Sequence, residues 1–142
     1  MIRRLTCEDA AAAACIHSAS FDKGWDENSL ITHIKSDMCL GVFQPDLSGF
    51  IIMKPAADQA EIITLAVQPD LQGAGLGGVL VEEGCAQLNA AGVSVLFLEV
   101  AEDNEAAIAL YRKCGFAPMG RRPAYYRRAN GRVAALTYRK NI

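Results

Sequence analysis

Val67-Gln68-Pro69-Asp70-Leu71-Gln72-Gly73-Ala74-Gly75-Leu76-Gly77-Gly78 carries an apolar strand through a proline into a glycine-rich turn, and helical spacing begins at Gly75. A junction of this kind exposes several backbone N–H groups at a helix N-terminus. With the positive end of the helix dipole behind them, such groups bind anions, a pyrophosphate among them.

Upstream, Ile2–Leu5 reads as a short strand, and Thr6 caps a helix through about Ser20 that carries Ala10–Ala14, Ile16 and Ala19. Residues 21–25 break it. Asp26 caps a second helix through about Asp37, with Leu30, Ile31 and Ile34 on its apolar side. Cys39–Phe43 and Gly49–Met53 flank Pro45-Asp46-Leu47-Ser48 as a hairpin. Ala60–Val67 alternates, which predicts Glu61, Ile63, Leu65 and Val67 on one face. Downstream, Gly75–Ala91 is helical, although Gly84 costs it about 1 kcal/mol relative to alanine. Val93–Val100 is nearly all apolar, the pattern of a strand covered on both faces. Asn104–Cys114 is a short helix closed by Gly115. Phe116–Met119 and Arg132–Tyr138 are strand-like, with a basic, tyrosine-bearing connection between them. The order β-α-α-β-β-β-α-β-α-β-β predicts an α+β fold, a mixed sheet of about seven strands with four helices on both faces. No repeat or linker divides the chain, so residues 1–142 read as one domain.

Five cysteines (Cys7, Cys15, Cys39, Cys85, Cys114) include no Cys-x-x-Cys pair, which favours a reduced, cytoplasmic setting over a disulfide framework or a zinc site. His17 and His33 lack partners at metal-ligand spacing, so no metal is expected. The N-terminus lacks a signal-peptide pattern and no apolar run is long enough to span a bilayer. The net charge of −2 hides a split: all 16 acidic residues precede residue 106, while 9 of the 14 Lys and Arg follow it. That basic third either faces phosphates, nucleic acid or an acidic partner, or packs against the acidic part and neutralises it.

The glycine turn is not a P-loop, because Gly77 is followed by Gly78 and Val79 with no lysine. It is not a dinucleotide-binding turn either: Gly73-x-Gly75-x-Gly77 has the wrong spacing and lies mid-chain. Gln72-Gly73-Ala74-Gly75-Leu76-Gly77 resembles the Arg/Gln-x-x-Gly-x-Gly/Ala loop of the GNAT superfamily of acetyl-CoA-dependent N-acyltransferases. A second match follows in register: Leu98-Glu99-Val100, then Asn104-x-x-Ala107-x-x-Leu110-Tyr111-x-x-x-Gly115-Phe116. The similarity is strong over about 60–116.

The resemblance implies a largely antiparallel sheet whose strands 60–67 and 93–100 are parallel and splay apart. It implies that amides from Gly73 to Gly78 bind the pyrophosphate of acetyl-CoA, and that main chain at Leu65, Ala66 and Val67 holds the pantetheine arm as an added strand would. Asn104 matches the family's cofactor contact, or serves as an N-cap. Tyr111 matches the tyrosine that protonates the departing sulfur; its other reading is a core aromatic. Glu99 interrupts an apolar run, where a carboxylate is costly unless partnered or functional. Burial would raise its pKa and make it a better base, with Glu61 on the neighbouring strand as its competitor.

The second motif is most similar to the RimI-like branch, protein N-terminal acetyltransferases that include ribosomal-protein alanine acetyltransferases. Trp25 and Tyr125-Tyr126 resemble residues that flank that branch's acceptor cleft; a hydrophobic staple is the other reading of Trp25. Arg122-Pro123-Ala124-Tyr125-Tyr126 departs from the branch's Arg-Asn-Tyr-Tyr run, and Val133-Ala134-Ala135 lacks its acidic residue. The acceptor expected is a protein N-terminal α-amine, with a small amine as the alternative and a non-catalytic acyl-CoA module ranked last. Direct nucleic-acid or membrane binding is not expected. A monomer and a homodimer both fit.

Overall fold

Alternating apolar residues and well-placed caps assemble the expected elements around one sheet. The computed structural model describes residues 1–142. Its strands are β1 (Ile2–Arg4), β2 (Met38–Phe43), β3 (Leu47–Ala56), β4 (Gln59–Val67), β5 (Val95–Ala101), β6 (Ala117–Arg128) and β7 (Gly131–Asn141). Its helices are α1 (Ala10–Ser20), α2 (Glu27–Ser36), α3 (Leu76–Ala90) and α4 (Glu105–Lys113). The sheet order is β1-β2-β3-β4-β5-β7-β6, and β4 with β5 is the one parallel pair.

Two cores bury the faces of this sheet. On one, Leu76, Leu80 and Leu88 of α3 and Tyr111 of α4 pack on Ile51, Met53, Ile62, Leu96 and Leu98. On the other, Ala13 and Ile16 of α1 and Leu30 of α2 pack on Cys39, Phe50, Ile52 and Ala66. Gly84, which weakens α3 by propensity alone, has a packing reason: an added Cβ would lie 2.6 Å from Met53 Sδ. The helix lies that close to β3.

Asp26 Oδ1 accepts from the Ser29 N–H at 2.8 Å and starts α2. The first helix begins later than expected. Cys7–Asp9 forms a 3₁₀ turn, because the Asp9 carboxylate accepts from the Thr6 N–H (2.8 Å) and from Arg3 (2.8 Å), tightening the entry.

Three further expectations are corrected. Glu61, Ile63, Leu65 and Val67 do not share a face. Ile52 pairs with Thr64 while Met53 pairs with Ile62, so Ile63 is an extra, bulged residue. The bulge reverses the alternation: Ile62, Leu65 and Val67 face the α3–α4 core, whereas Ile63 and Ala66 face the α1–α2 core. Second, β5 is not covered evenly on both faces, since Phe97 and Glu99 are only half-buried. Third, the basic connection after Phe116–Met119 is strand. Residues 117–128 pair with β7, and an irregularity between Arg122 and Tyr126 places Ala124 at φ 52°. Nearly every β6 residue is exposed, so no apolar alternation marks it in the sequence.

Candidate active site

β4 and β5 pair only from Gln59 opposite Val95 to Ile62 opposite Leu98. Beyond that point, at the bulge, they part and leave a cleft of about 920 Å³. Thr64 and Leu65 line it from β4, Glu99 from β5, Tyr111 from α4, Phe21 from the segment before α2 and Tyr126 from β6.

The glycine turn joins the end of β4 to the start of α3. Gly75 is the N-cap of α3 at φ 88° and Gly73 has φ 84°, both left-handed values that glycine adopts without strain. No atom lies within 4 Å of a Cβ added at either position. None of the amides from Gly73 to Gly78, including those of Ala74 and Leu76, finds an acceptor within the protein; the first helical bond runs from the Val79 N–H to the Gly75 carbonyl at 3.1 Å. Several amides at a helix start are therefore free for an anion. Gln72 plays a different part: its Nε2 donates to the Val67 carbonyl at 3.2 Å and ties the turn to the end of β4. Gly77 is not open, because its Cβ would lie 3.0 Å from Leu110 Cδ2.

Main chain facing the gap follows from strand alternation. The Gln68 N–H bonds the Ser48 carbonyl at 2.8 Å, toward β3, so the polar groups of Ala66 also point to β3 and those of Leu65 and Val67 point to the gap. The Val67 carbonyl is already taken by Gln72 and by Ser20 Oγ at 3.2 Å. Leu65 and the Val67 N–H remain for a ligand strand; Ala66 is turned away, with its methyl in the α1–α2 core.

Glu99 and Tyr111 reach the cleft from opposite faces of the sheet. Tyr111 is buried, packs edge-on against Phe116 with ring centroids 5.6 Å apart, and its hydroxyl makes no hydrogen bond within the protein. Burial pushes its phenol pKa well up, so it carries its proton throughout the neutral range. Glu99 is half-buried. Its Oε1 lies 3.7 Å from Arg122 Nη2, and its Oε2 is buried with no partner. An orphaned carboxylate oxygen beside a cleft is costly unless a ligand satisfies it. Glu61 is exposed. It shares a smaller groove with Glu99, Phe97 and Met119 but does not line the large cleft. Asn104 lines the cleft and also caps α4, its Oδ1 accepting from the Ala107 N–H at 3.2 Å.

Of the three aromatics expected beside the acceptor, Tyr126 lines the cleft, with Arg128 5.6 Å above its ring. Burial first, and then the charge of Glu99, raise its phenol pKa. Tyr125 is exposed and packs edge-on against Tyr126. Trp25 does not line the cleft. It stacks between His17 and His33, at centroid distances of 4.9 and 4.6 Å.

Of the nine Lys and Arg in the basic third, three face acids of this chain. Arg128 bonds Asp103 through two nitrogens (2.8 and 3.0 Å), Arg121 reaches Glu102 at 3.2 Å and Arg122 approaches Glu99. Phe21, Asp22, Lys23, Thr64 and Asp103 line the cleft without having been singled out from sequence. Phe21 was legible as an aromatic beside Trp25; Thr64 carried no signal, because the bulge that aims it depends on pairing with β3.

The profile of the Acetyltransferase (GNAT) family matches residues 8–116. The chain is 40% identical over 90 residues to the [Ribosomal protein bS18]-alanine N-acetyltransferase of Escherichia coli K12, a match covering 63% of this chain and 61% of that protein's length. It is 46% identical over 67 residues to the N-alpha-acetyltransferase RimI of Mycobacterium tuberculosis, covering 47% of this chain and 40% of that one. The crystal structure of the ribosomal-protein-S18-alanine N-acetyltransferase from Escherichia coli superposes with a TM-score of 0.93 and 31% identity, covering 100% of this chain and 93% of that one. A parting pair of parallel strands, a helix start with free amides and these similarities have one common explanation: the chain belongs to the acetyltransferase (GNAT) family.

Proposed function

We propose that this chain is an N-acetyltransferase that moves an acetyl group from acetyl-CoA to the N-terminal α-amine of a protein, a ribosomal protein being the first to test. The observation that carries the reading is the pair at the cleft: Glu99 Oε2, buried and unpartnered, and the protonated Tyr111 hydroxyl on the other side of the sheet. Acetyl-CoA supplies an acyl group on a thioester. The amides of Gly73–Gly78 suit its pyrophosphate, and Leu65 with the Val67 N–H suits its pantetheine arm.

Glu99 takes a proton from the acceptor's ammonium, directly or through water, and leaves a neutral amine to attack. As the new C–N bond forms and the C–S bond breaks, Tyr111 gives its proton to the departing sulfur, the nitrogen loses its second proton to solvent, and Tyr111 and Glu99 then recover their starting states by exchange with water. Glu61 serves less well as the base, because it does not face the cleft. Tyr126 and Tyr125 border the acceptor's path, and Trp25 contributes by fixing the segment before α2. A protein acceptor is favoured over a small amine because the relatives are named for an alanine of a ribosomal protein and for an α-amine. The same reading treats 1–142 as one domain, supported by a single sheet running from Ile2 to Asn141, and takes the five free cysteines as signs of a cytoplasmic setting.

The test is mass spectrometry of peptides beginning with Ala, Ser or Met after incubation with acetyl-CoA. Acetylation of an N-terminus is expected; no product with any peptide would refute the reading. Glu99→Gln should lower turnover about a hundredfold and remove the rising limb of its pH profile, whereas Glu61→Gln should keep that limb.

A further inference from the structure

We propose that Thr64 recognises the first carbonyl of the acceptor, the group that distinguishes an α-amine of a peptide from a plain alkylamine, and that His17 positions it. The inference rests on the acceptor class proposed above.

Three hydrogen bonds set the direction. The Trp25 backbone N–H donates to His17 Nδ1 at 3.0 Å, so this nitrogen carries no proton. His17 is buried, and burial lowers its pKa, so the ring is neutral and its proton is on Nε2. Nε2 lies 3.1 Å from Thr64 Oγ1, which therefore accepts. The Thr64 hydroxyl proton has no acceptor within the protein, and Thr64 lines the cleft. Stacking of the imidazole against Phe21 (4.4 Å) and Trp25 (4.9 Å) prevents the ring from turning to another partner.

What this donor meets follows from its side of the sheet. His17 is on α1, so Thr64 points to the α1–α2 face, the face on which the bulge also places Ile63 and Ala66. Phe97 and Glu99 of β5 open to that same side, since Leu96, Leu98 and Val100 belong to the α3–α4 core. Tyr111 and the free amides of α3 lie on the opposite face. Thr64 is thus on the side from which Glu99 receives the amine. An acceptor with a carbonyl next to its amine offers the lone pair that this hydroxyl lacks; an alkylamine does not. A site that leaves a buried donor unpaired discriminates against the ligand that fails to pair it.

The experiment compares kcat/KM for a peptide beginning with Ala and for the same peptide with CH₂–CH₂ in place of its first CO–NH unit. In the native protein the carbonyl-bearing peptide should be preferred. Thr64→Val, which keeps the shape and removes the hydroxyl, should reduce that preference about tenfold, and Thr64→Ser should restore it. Taking the ratio within each variant separates recognition from any loss of folded protein. Replacing His17 by Leu should reduce the preference as well, and adding Thr64→Val to that background should change it no further. An unchanged ratio in Thr64→Val overturns the proposal. So does an equal loss on both substrates, which would put the hydroxyl on the acyl oxygen instead. Absence of acetylation of either peptide by the native protein would refute the proposed acceptor class itself, a result distinct from an active enzyme with an insensitive ratio.

Discussion

An added Cβ on Gly77 would lie 3.0 Å from Cδ2 of Leu110, so this glycine of the phosphate-type turn is where α4 crosses the start of α3. Leu110 precedes Tyr111, and the crossing therefore sets the depth of the phenol in the cleft. Gly77→Val should cost about 1–3 kcal/mol by overpacking and should lower turnover through a displaced Tyr111. Gly75 acts differently. It has open space around it but a left-handed φ, so Gly75→Ala should cost about 1–2 kcal/mol and weaken acetyl-CoA binding. Urea denaturation and calorimetry with acetyl-CoA separate the two; equal effects on binding would contradict the assignment.

Removal of one oxygen tests the acid. Tyr111→Phe keeps the edge-on contact with Phe116 and loses only the hydroxyl, which has no bond to another group of the protein. Turnover should fall about a hundredfold with little change in the dissociation constant for acetyl-CoA. Native turnover in this variant would exclude Tyr111 as the proton donor.

His17 makes stability depend on pH. Its pKa is lowered in the folded protein, so an unfolded chain takes up a proton as the pH falls below about 6.5 while the native imidazole stays neutral. The stabilising contribution is complete above that value and declines as the pH drops toward the folded pKa. Asp9, Asp26 and Asp103 also have lowered pKa values, and their contributions are lost only at more acidic pH, through the carboxylate range. The thermal midpoint should be lower at pH 5.5 than at pH 7.5, and His17→Gln should flatten that interval. An equal slope in the variant would mean that other groups carry it.

Ala124 holds φ 52° in the irregular segment of β6, a conformation that costs a residue with a Cβ about 1–2 kcal/mol. Ala124→Gly should therefore stabilise the hairpin by up to about 1 kcal/mol, measured as an increased urea midpoint. A lower midpoint in Ala124→Gly would show that this backbone is not strained.

Legibility was uneven along the chain. The turn from Gly73 to Gly78, the cap at Asp26 and the Asn104 cap were readable because each depends on residues a few positions apart. Glu99 was readable because a carboxylate within Val95–Val100 contradicts its neighbours. The long β6 was not, because its side chains face solvent and only pairing with β7 makes it a strand.

From its own residues the chain determined the element order, the starts of α2, α3 and α4 and the glycine turn, since periodicity, capping and glycine conformations are local properties. Tertiary structure decided which side of β4 each residue occupies, the bond from His17 to Thr64, and the pairing of the late arginines with Glu102 and Asp103. These depend on register and on contacts between segments 19 to 47 residues apart, which no short window of sequence contains.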